Sequence, residues 1–398
     1  MTDSNFNAEA SGPLKGIRVL DFGAFLAGSY HSTLMGDLGA EVIKVEPVTG
    51  DPTRLSPPMV GGESRVFLGW NRNKRGFAVN LRSDAGLEVV HDLIRSADIL
   101  TCNFRPASAK KLKMDYDTLS TLNPRLIYCS STGFGPKGPL ANRPSYDGVF
   151  QTMGGVARIN EGTTGKVAIA APVFIDIQTA TLGLAGILAA LYHRERTGEG
   201  QHVETSLLQA VMAVQPHAYC QALEHEEEGT VGAHPYTLYE TIDGHVFVAC
   251  PQEKFWKSFC QVIGESDLAA AQRYDSLAKR VVCKEELLEL ISPIMTTKTT
   301  EEWDMLLSEA DVPCAPALTH AEFMDHPQVE AVNMNPTIEH FKVGTLRVFG
   351  VPFNFSKTPG KIQRAAPALG EHTREILEGL DYADDKIETL KSDGVITY

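Results

Sequence analysis

The strongest constraint on the fold is an alternation of short apolar segments with helix-like segments over the first 135 residues. Apolar runs rich in β-branched residues predict buried strands, whereas amphipathic runs predict helices. Strand, helix and strand at this spacing indicate βαβ units around a parallel sheet. We therefore predict an α/β fold with a Rossmann-like, parallel-sheet large domain. The segments are IRVLDFG (17–23), HSTLMGDLGA (31–40), EVIKVE (41–46), GFAVNL (76–81), DAGLEVVHDLIRSA (84–97), DILTCNF (98–104) and RLIYCSSTGF (125–134).

A change of pattern in the second half of the chain predicts a further domain. The acidic run EHEEEG (224–229) and the turn-rich GAHPY (232–236) mark a boundary. The segment YTLYETIDGHVFVAC that follows is typical of a β-hairpin with Asp243–Gly244 at its turn. We predict a flexible tail at 1–12, a large α/β domain at 13–224, a small α+β domain at 225–325, and a C-terminal segment, 326–398, that returns to the large domain.

Composition excludes several classes of function. A formal net charge of −14 argues against general binding of nucleic acid or of an anionic membrane. The seven cysteines are odd in number and form no C-x-x-C pair, so we expect a reducing cytoplasm and neither disulfides nor a metal site. The polar, acidic N-terminal stretch has neither a basic n-region nor an apolar h-region, so we expect no export signal. The longest uncharged run, 177–192, is short for a membrane span and is typical of a buried helix.

The first predicted βαβ unit lacks the glycines of a dinucleotide site. Gly23 and Gly28 are five residues apart, so there is no G-x-G-x-x-G fingerprint after the first strand. P-loop, nucleophile-elbow and zinc-helix motifs are also missing from the sequence. Basic residues recur near predicted strand ends, and each alone is typical of a solvated surface charge. Collected at one edge of a sheet, they could instead hold a phosphate-bearing ligand. They are Lys74, Arg75, Arg82, Arg105, Lys110 and Lys111.

A single carboxylate, Asp176, precedes the long uncharged run. Burying an unpaired charge is costly, so its presence there needs a reason. One interpretation is that Asp176 caps the helix that follows. The other is that its oxygen is a nucleophile held at the N-terminus of that helix. The residues of this stretch alone leave both interpretations open.

In order along the chain, several segments resemble the family III CoA-transferases, which include formyl-CoA transferase and carnitine CoA-transferase. The resemblance spans nearly the whole chain, and no single segment carries it. The most specific segments are LGAEVIKVE, NRNKRG, NFRP, RPSYDGVFQTMGG, FIDIQTATLGLAGILAALYHRERTGEGQ and ADVPCAP.

The resemblance implies that Asp176 is the catalytic nucleophile. In this family, CoA moves from an acyl-CoA donor to a carboxylic acid through an aspartyl mixed anhydride and an aspartyl-CoA thioester. Acyl-CoA is then a substrate, and no tightly bound cofactor or metal is expected. The resemblance also implies a homodimer whose two chains are interlocked. It does not identify the donor or the acceptor acid.

The resemblance further implies a set of residues that line the CoA site. Tyr146 and Asp147 would lie beside the thioester, and the GTVGAHPY loop (229–236) falls where a loop closes over the site in some family members. The implied CoA contacts are Leu26, Ala27, Val79, Arg82, Asn103, Phe104, Arg105, Lys111, Tyr146 and Asp147.

Two alternatives remain at this stage. Some members of the family are acyl-CoA racemases or epimerases that use a His-Asp pair, but Tyr146 occupies the position where that His would be expected. Tyrosine is a poor base near neutral pH, because its unperturbed pKa is about 10. The second alternative is a CoA-binding protein without catalytic activity.

Overall fold

The computed structural model describes residues 11–220, 223–224 and 232–398. The chain divides into two compact units. Unit 1 comprises residues 1–220 together with 331–398, and unit 2 comprises residues 221–330. The predicted tail at 1–12 and the loop at 229–236 lie largely or partly outside the described residues.

The first part of unit 1 alternates strands and helices, as the sequence pattern predicts. In chain order, its elements are β1 (Arg18–Asp21), α1 (Phe25–Asp37), β2 (Glu41–Glu46), β3 (Met59–Val60), β4 (Glu63–Ser64), α2 (Arg65–Gly69), β5 (Lys74–Val79), α3 (Asp84–Arg95), β6 (Ile99–Cys102), α4 (Pro106–Lys111), α5 (Tyr116–Leu122), β7 (Ile127–Thr132), α6 (Asp147–Met153), α7 (Val156–Thr164), α8 (Phe174–Thr197), β8 (His202–Ser206) and α9 (Leu207–Ala213). Single 3-10 turns occupy Pro52–Leu55 and Pro216–Tyr219.

Unit 2 is built on a three-stranded antiparallel sheet. The predicted hairpin is confirmed, because β9 pairs with β10 on either side of Asp243–Gly244. Its core contains Trp256, Phe259 and Trp303, all fully buried. The elements are β9 (Tyr236–Glu240), β10 (His245–Ala249), α10 (Glu253–Val262), α11 (Ser266–Ala270), α12 (Leu277–Val282), α13 (Lys284–Met295), α14 (Thr300–Glu309), β11 (Cys314–Pro316), α15 (His320–Met324) and α16 (Pro327–Ala331).

The last part of the chain belongs to unit 1. Strand β14 pairs antiparallel with β5, so the C-terminus extends the sheet that the N-terminal half begins. The elements after residue 331 are β12 (Thr337–His340), β13 (Gly344–Arg347), α17 (Thr373–Glu378), α18 (Asp384–Ser392) and β14 (Ile396–Thr397).

The main sheet of unit 1 has seven strands in the order β14-β5-β2-β1-β6-β7-β8. All pairs are parallel except β14 with β5. The six parallel strands follow the doubly wound order of Rossmann folds, and this confirms the predicted fold class. Successive residues of β1 point to opposite faces, so Val19 and Leu20 enter different cores. In such sheets, ligands bind where the strand order reverses, which here is between β1 and β6.

Helix α8 is the long apolar helix that the sequence predicts. It lies against α1 on one face of the sheet, where Leu184 and Ile187 share a core with Leu34 and Met35. In the described part of the chain, it is the one helix whose length and composition would also suit a membrane span. Core helices of globular proteins meet the same criteria.

Candidate active site

The crevice at the switch point lies between the chain that leaves β1 and the chain that leaves β6. The side-chain amide of Asn103 bridges the two, because it donates to the Ala24 carbonyl (2.7 Å) and accepts from the Ala24 N–H (3.0 Å). A Cβ on Gly28 would lie 2.7 Å from Cγ of Asn103, and a Cβ on Gly23 would lie 1.8 Å from the Gly28 carbonyl oxygen. The two glycines therefore permit this close contact, although their spacing matches no dinucleotide fingerprint.

Asp176 lies in the first turn of α8, and it does not cap that helix. The N-cap position is Val173, and no side chain of the N-cap residue bonds to the helix. Instead, Oδ2 of Asp147 accepts from the backbone N–H groups of Ile175 (2.8 Å) and Asp176 (3.1 Å). The capping interpretation of Asp176 is wrong, because a carboxylate 29 residues earlier in the chain already takes these donors.

The two carboxylates at this helix end have different surroundings. Asp147 also accepts from Nε2 of Gln151 at 2.5 Å, so both of its oxygens have partners. Among the described residues, no hydrogen bond or ion pair reaches the carboxylate of Asp176. Burial, with a smaller contribution from the nearby charge of Asp147, raises the pKa of Asp176 to about 7. The site therefore holds a carboxyl group that is poised to ionise near neutral pH.

Asp176 lines a cavity of about 220 Å³ at the switch point. Tyr146 stands at its edge, largely exposed, with its ring edge-on to Phe25 at 5.7 Å between centroids. The cavity brings together six residues that the resemblance implied, namely Ala27, Asn103, Phe104, Arg105, Tyr146 and Asp176. Leu26 is buried beside them without lining the cavity, and Asp147 is buried behind the start of α8.

The other implied CoA contacts lie along two neighbouring cavities. The second cavity, of about 530 Å³, shares Phe104 with the first and is lined by Val79 and Arg82. A third, of about 620 Å³, shares Arg82 with the second and is lined by Lys111. A row of clefts thus runs from the carboxylate of Asp176 to a pair of exposed basic residues. Such a row suits an elongated ligand with an anionic far end.

Some site residues were missed by the sequence analysis. Arg143, Ser131 and Leu207 line the cavity that holds Asp176. Arg143 is the first residue of the RPSYDG motif, so its closeness in sequence to Tyr146 could have identified it as a site residue. Ser131 lies near the end of β7 and Leu207 directly follows β8, and only the strand order β1-β6-β7-β8 brings them to this cavity.

Two of the basic residues near strand ends are not where the sequence analysis expected them. Lys74 and Arg75 are fully buried, so they are neither solvated surface charges nor phosphate ligands at a sheet edge. Lys74 pairs with Asp21 at 2.8 Å, and Arg75 pairs with Glu41 at the other face of the strand. Within the described residues, no cluster of three or more His, Cys, Asp or Glu side chains could hold a metal ion.

The fold is a doubly wound α/β fold, and an ionisable carboxyl group lies in its switch-point crevice. Proteins with this fold bind small-molecule ligands at that place. The chain belongs to CoA-transferase family III, whose model matches residues 14–373. It is therefore an enzyme that transfers CoA, and the resemblance drawn from the sequence is confirmed. The alternative of a CoA-binding protein without activity is set aside.

The similarity to known CoA-transferases extends over nearly the whole chain. It is 32% identical over 393 residues to succinyl-CoA:glutarate CoA-transferase from Homo sapiens, covering 96% of this chain and 90% of the human protein. It is 34% identical over 396 residues to succinyl-CoA:mesaconate CoA-transferase from Haloarcula marismortui, covering 95% of this chain and 99% of that protein. The crystal structure of a CAIB/BAIF family protein from Brucella suis matches with a TM-score of 0.82 at 31% identity, covering 93% and 100% of the two chains.

Proposed function

We propose that Asp176 is the nucleophile of a CoA transfer from an acyl-CoA donor to a carboxylic acid. The observation that carries this proposal is an ionisable carboxylate without a partner in the switch-point cavity. A carboxylate whose pKa is raised is a better nucleophile once ionised, because its charge is less stabilised by its surroundings. Asp147 supports the role by taking the helix N–H groups, which would otherwise stabilise the charge of Asp176.

The proposed reaction has four steps. In each step, one carbon–oxygen or carbon–sulfur bond to an acyl carbon forms and another breaks. The Asp176 carboxylate attacks the donor thioester, giving a mixed anhydride and CoA thiolate. The thiolate attacks the aspartyl carbonyl, which leaves an aspartyl-CoA thioester and frees the donor acid. The acceptor carboxylate attacks that thioester and releases the thiolate again. The thiolate then attacks the acceptor's acyl carbonyl, so a new acyl-CoA departs and the carboxylate of Asp176 is restored.

Each of these steps passes through a tetrahedral oxyanion that needs hydrogen-bond donors. Among the described residues, no side chain caps the N-terminus of α1, so the N–H groups of its first turn, including that of Ala27, are available. Ala27 and Phe25 line the cavity of Asp176. We assign these amides to the oxyanion, and the clefts that end at Arg82 and Lys111 to the nucleotide portion of CoA.

We further propose that the acids exchanged are short dicarboxylic acids. The names of the two relatives above refer to succinyl-CoA with glutarate or mesaconate, all of which carry a second carboxylate. In this chain, Arg105 and Arg143 line the same cavity as Asp176. A guanidinium group suits a carboxylate because it can donate two parallel hydrogen bonds.

We also propose a homodimer in a reducing cytoplasm. An apolar stripe on α8, formed by Ile177, Leu188 and Tyr192, is 41%, 39% and 67% exposed. An exposed apolar stripe of this kind is suited to cover by another chain. All seven cysteines are unpaired thiols, as a reducing compartment would favour.

The nucleophile is tested with Asp176→Asn and a matched control, Glu195→Gln, at the exposed far end of the same helix. With acyl-CoA and no acceptor, the wild-type protein should carry a covalent adduct on the peptide that contains Asp176, and hydroxylamine should convert it to a hydroxamate. The Asn variant should fold, form no adduct and lose transfer activity by several orders of magnitude, whereas the control keeps both. Near-normal turnover by Asp176→Asn would overturn the proposal.

A further inference from the structure

Two buried lysines hold the segment that forms one wall of the cavity. We call residues 23–29, between β1 and the first turn of α1, the crevice segment. Lys44 donates to the Gly23 carbonyl, to Oγ of Ser29 (3.1 Å) and to Oδ2 of Asp51 (3.0 Å). Lys74 donates to the Ser29 carbonyl (2.8 Å), to Oδ2 of Asp21 (2.8 Å) and to Oδ1 of Asn71 (2.9 Å). An ammonium group has three donors, so both lysines are fully used.

The contacts fall on the two ends of the crevice segment. Gly23 is held from the other side as well, because its N–H donates to Asp21 at 2.9 Å. Ser29 closes the segment on itself by donating from Oγ to the Gly23 carbonyl at 2.7 Å. Between these ends, Phe25 has φ = +58°, a backbone conformation that a bulky residue keeps only when its surroundings impose it.

This strained residue is in the active site. Phe25 and Ala27 both line the cavity of Asp176, and Phe25 also contacts the ring of Tyr146. Fixing the two ends of the crevice segment therefore fixes the first-turn amides of α1 relative to Asp176. Stability alone is a weak reason for such a cluster, since buried ion pairs are often replaced by apolar residues without loss.

We infer that Lys44 and Lys74 are positioning residues that hold the crevice segment in its catalytic geometry through the carbonyl groups of Gly23 and Ser29. They touch neither the proposed nucleophile nor the cavity. Their kinetic effect is read through CoA transfer, so this inference rests on the proposed function. It adds a mechanism by which β2 and β5, which lie on the far side of β1 from β6, affect the rate of the reaction.

The protonation of Lys74 gives the inference a pH signature. Burial lowers the pKa of Lys74 to about 8, and the attraction of Asp21 only partly offsets this effect. Burial also disfavours the charged form of Lys44, but Asp21 and Asp51 outweigh it and raise the pKa of Lys44. His31 also faces the cluster, and burial lowers its pKa to about 4, so it is neutral throughout. Above about pH 8, Lys74 thus loses its charge while its neighbours keep theirs.

Lys74→Met tests the inference, with Arg75→Met as the matched control. Arg75 is equally buried and ion-paired on the same strand, but it points to the opposite face, toward Glu41 and Glu375. We expect Lys74→Met to lower kcat by about tenfold or more, with KM for the acyl-CoA little changed, as loss of oxyanion donors would. Arg75→Met should lower the melting temperature while the folded enzyme keeps its kcat.

The pH profile of kcat distinguishes positioning from mere destabilisation. The wild-type rate should fall above about pH 8, and this alkaline limb should be missing from the folded Lys74→Met enzyme. Equal effects of the two variants on kcat, or a wild-type rate that stays level to about pH 9.5, would overturn the inference. If Lys74→Met does not fold, the pH profile of the wild-type enzyme still tests the inference, because a rate that stays level above about pH 8 contradicts it.

These outcomes are separate from the proposed role of Asp176. The rate profile is read from product formation, whichever group is the nucleophile. A missing adduct on Asp176 with an intact alkaline limb would contradict the proposed nucleophile and leave the positioning role supported. A normal adduct on Asp176 with a rate that stays level at alkaline pH would support the proposed nucleophile and contradict the positioning role.

Discussion

Asp147 and Asp176 meet at the start of α8, and their hydrogen bonds assign them different tasks. Asp147 is saturated by two backbone N–H groups and by Gln151, as a structural carboxylate is. Asp176 has no such partners among the described residues and carries the raised pKa. Pairs of acids whose environments differ in this way are typical of sites where one acid reacts and the other organises.

The first prediction at this scale concerns the pH dependence of catalysis. In the proposed mechanism only the ionised form of Asp176 attacks, so kcat/KM should rise with pH and level off between about pH 7 and pH 8. The charge of Asp147 contributes to the raised pKa, so Asp147→Asn should move this acid limb to lower pH. Steady-state rates between about pH 5 and pH 8 would measure it. A limb that stays in place or moves upward in Asp147→Asn would contradict the proposed electrostatics.

The second prediction is a pH-dependent gain in stability for Asp176→Asn. The pKa of Asp176 is higher in the folded protein than in the unfolded chain, so the stability associated with its protonated form is lost as the pH rises through about 7. The full shift corresponds to about 4 kcal/mol, and partial solvent access reduces the expected gain to about 2 kcal/mol above pH 7.

Denaturant unfolding of the wild type and Asp176→Asn at about pH 4.5 and pH 8 would test this prediction. The variant should exceed the wild type by only about a quarter of the full effect at the lower pH and by the full effect at the higher one. Glu195→Gln, on the exposed part of the same helix, should change neither value. A variant less stable than the wild type at pH 8 would mean that Asp176 is stabilised by its surroundings after all.

At the scale of elements, the crevice depends on how closely two chain segments approach. Asn103 reaches across the switch point to Ala24 over the bare Cα of Gly28. The packing of β1 against β6 brings these segments together, and the local sequence of either one contains no trace of the contact. Helix α1 then begins at the segment that the contact fixes.

The third prediction is that Gly28→Ala impairs catalysis more than an ordinary glycine substitution. The added Cβ would lie 2.7 Å from Cγ and 2.9 Å from Nδ2 of Asn103, so the amide or the crevice segment must move. We expect a loss of about 1–3 kcal/mol in stability and of at least about tenfold in kcat/KM. Gly69→Ala is the control, because nothing lies within 4 Å of its added Cβ. Melting curves and transfer rates that do not distinguish the two variants would contradict the proposed contact.

The sequence predicted the elements better than their side-chain environments. The strand EVIKVE coincides with β2, whereas the strand predicted at 76–81 is β5, at Lys74–Val79. The two-residue shift arises because Lys74 and Arg75 look like surface residues but are buried, where they pair with Asp21 and Glu41. Their partners are distant in the sequence, so no local pattern identifies them as buried. The capping role of Asp147 escaped prediction for the same reason.

At the scale of the whole molecule, the resemblance identified the family, which no local rule of secondary structure could do. Asp176 was ambiguous by composition alone, and the order of motifs along the chain implied a role that its lack of partners in the cavity supports. Family membership does not, however, fix which carbonyl or amide positions the reacting groups. The positions of these carbonyl and amide groups follow from the order of the parallel strands, which places the ends of β1, β6 and β7 side by side.

The last prediction concerns the proposed homodimer. The apolar stripe of Ile177, Leu188 and Tyr192 lies on the helix that carries Asp176, so cover by a second chain would also stabilise the active-site helix. Sedimentation should give a mass of about 87 kDa, twice the 43.4 kDa of one chain. Glutamate at Leu188 and Tyr192 together should reduce the yield of dimer, because two charges would be buried in the interface. Val282→Glu, at a residue of unit 2 that is 74% exposed, is the control.

Interlocking makes a sharper claim than dimerisation, because linked chains cannot separate without partly unfolding. When tagged and untagged dimers are mixed under native conditions, no hybrid should form, although refolding the mixture from denaturant should give hybrids freely. Rapid exchange at 25 °C would indicate two chains that lie side by side, and a mass of one chain would exclude the dimer altogether. In an interlocked dimer, each α8 is held by a partner that cannot leave, so activity per chain should not fall on dilution. A side-by-side dimer with weak contacts would instead lose activity as it dissociates.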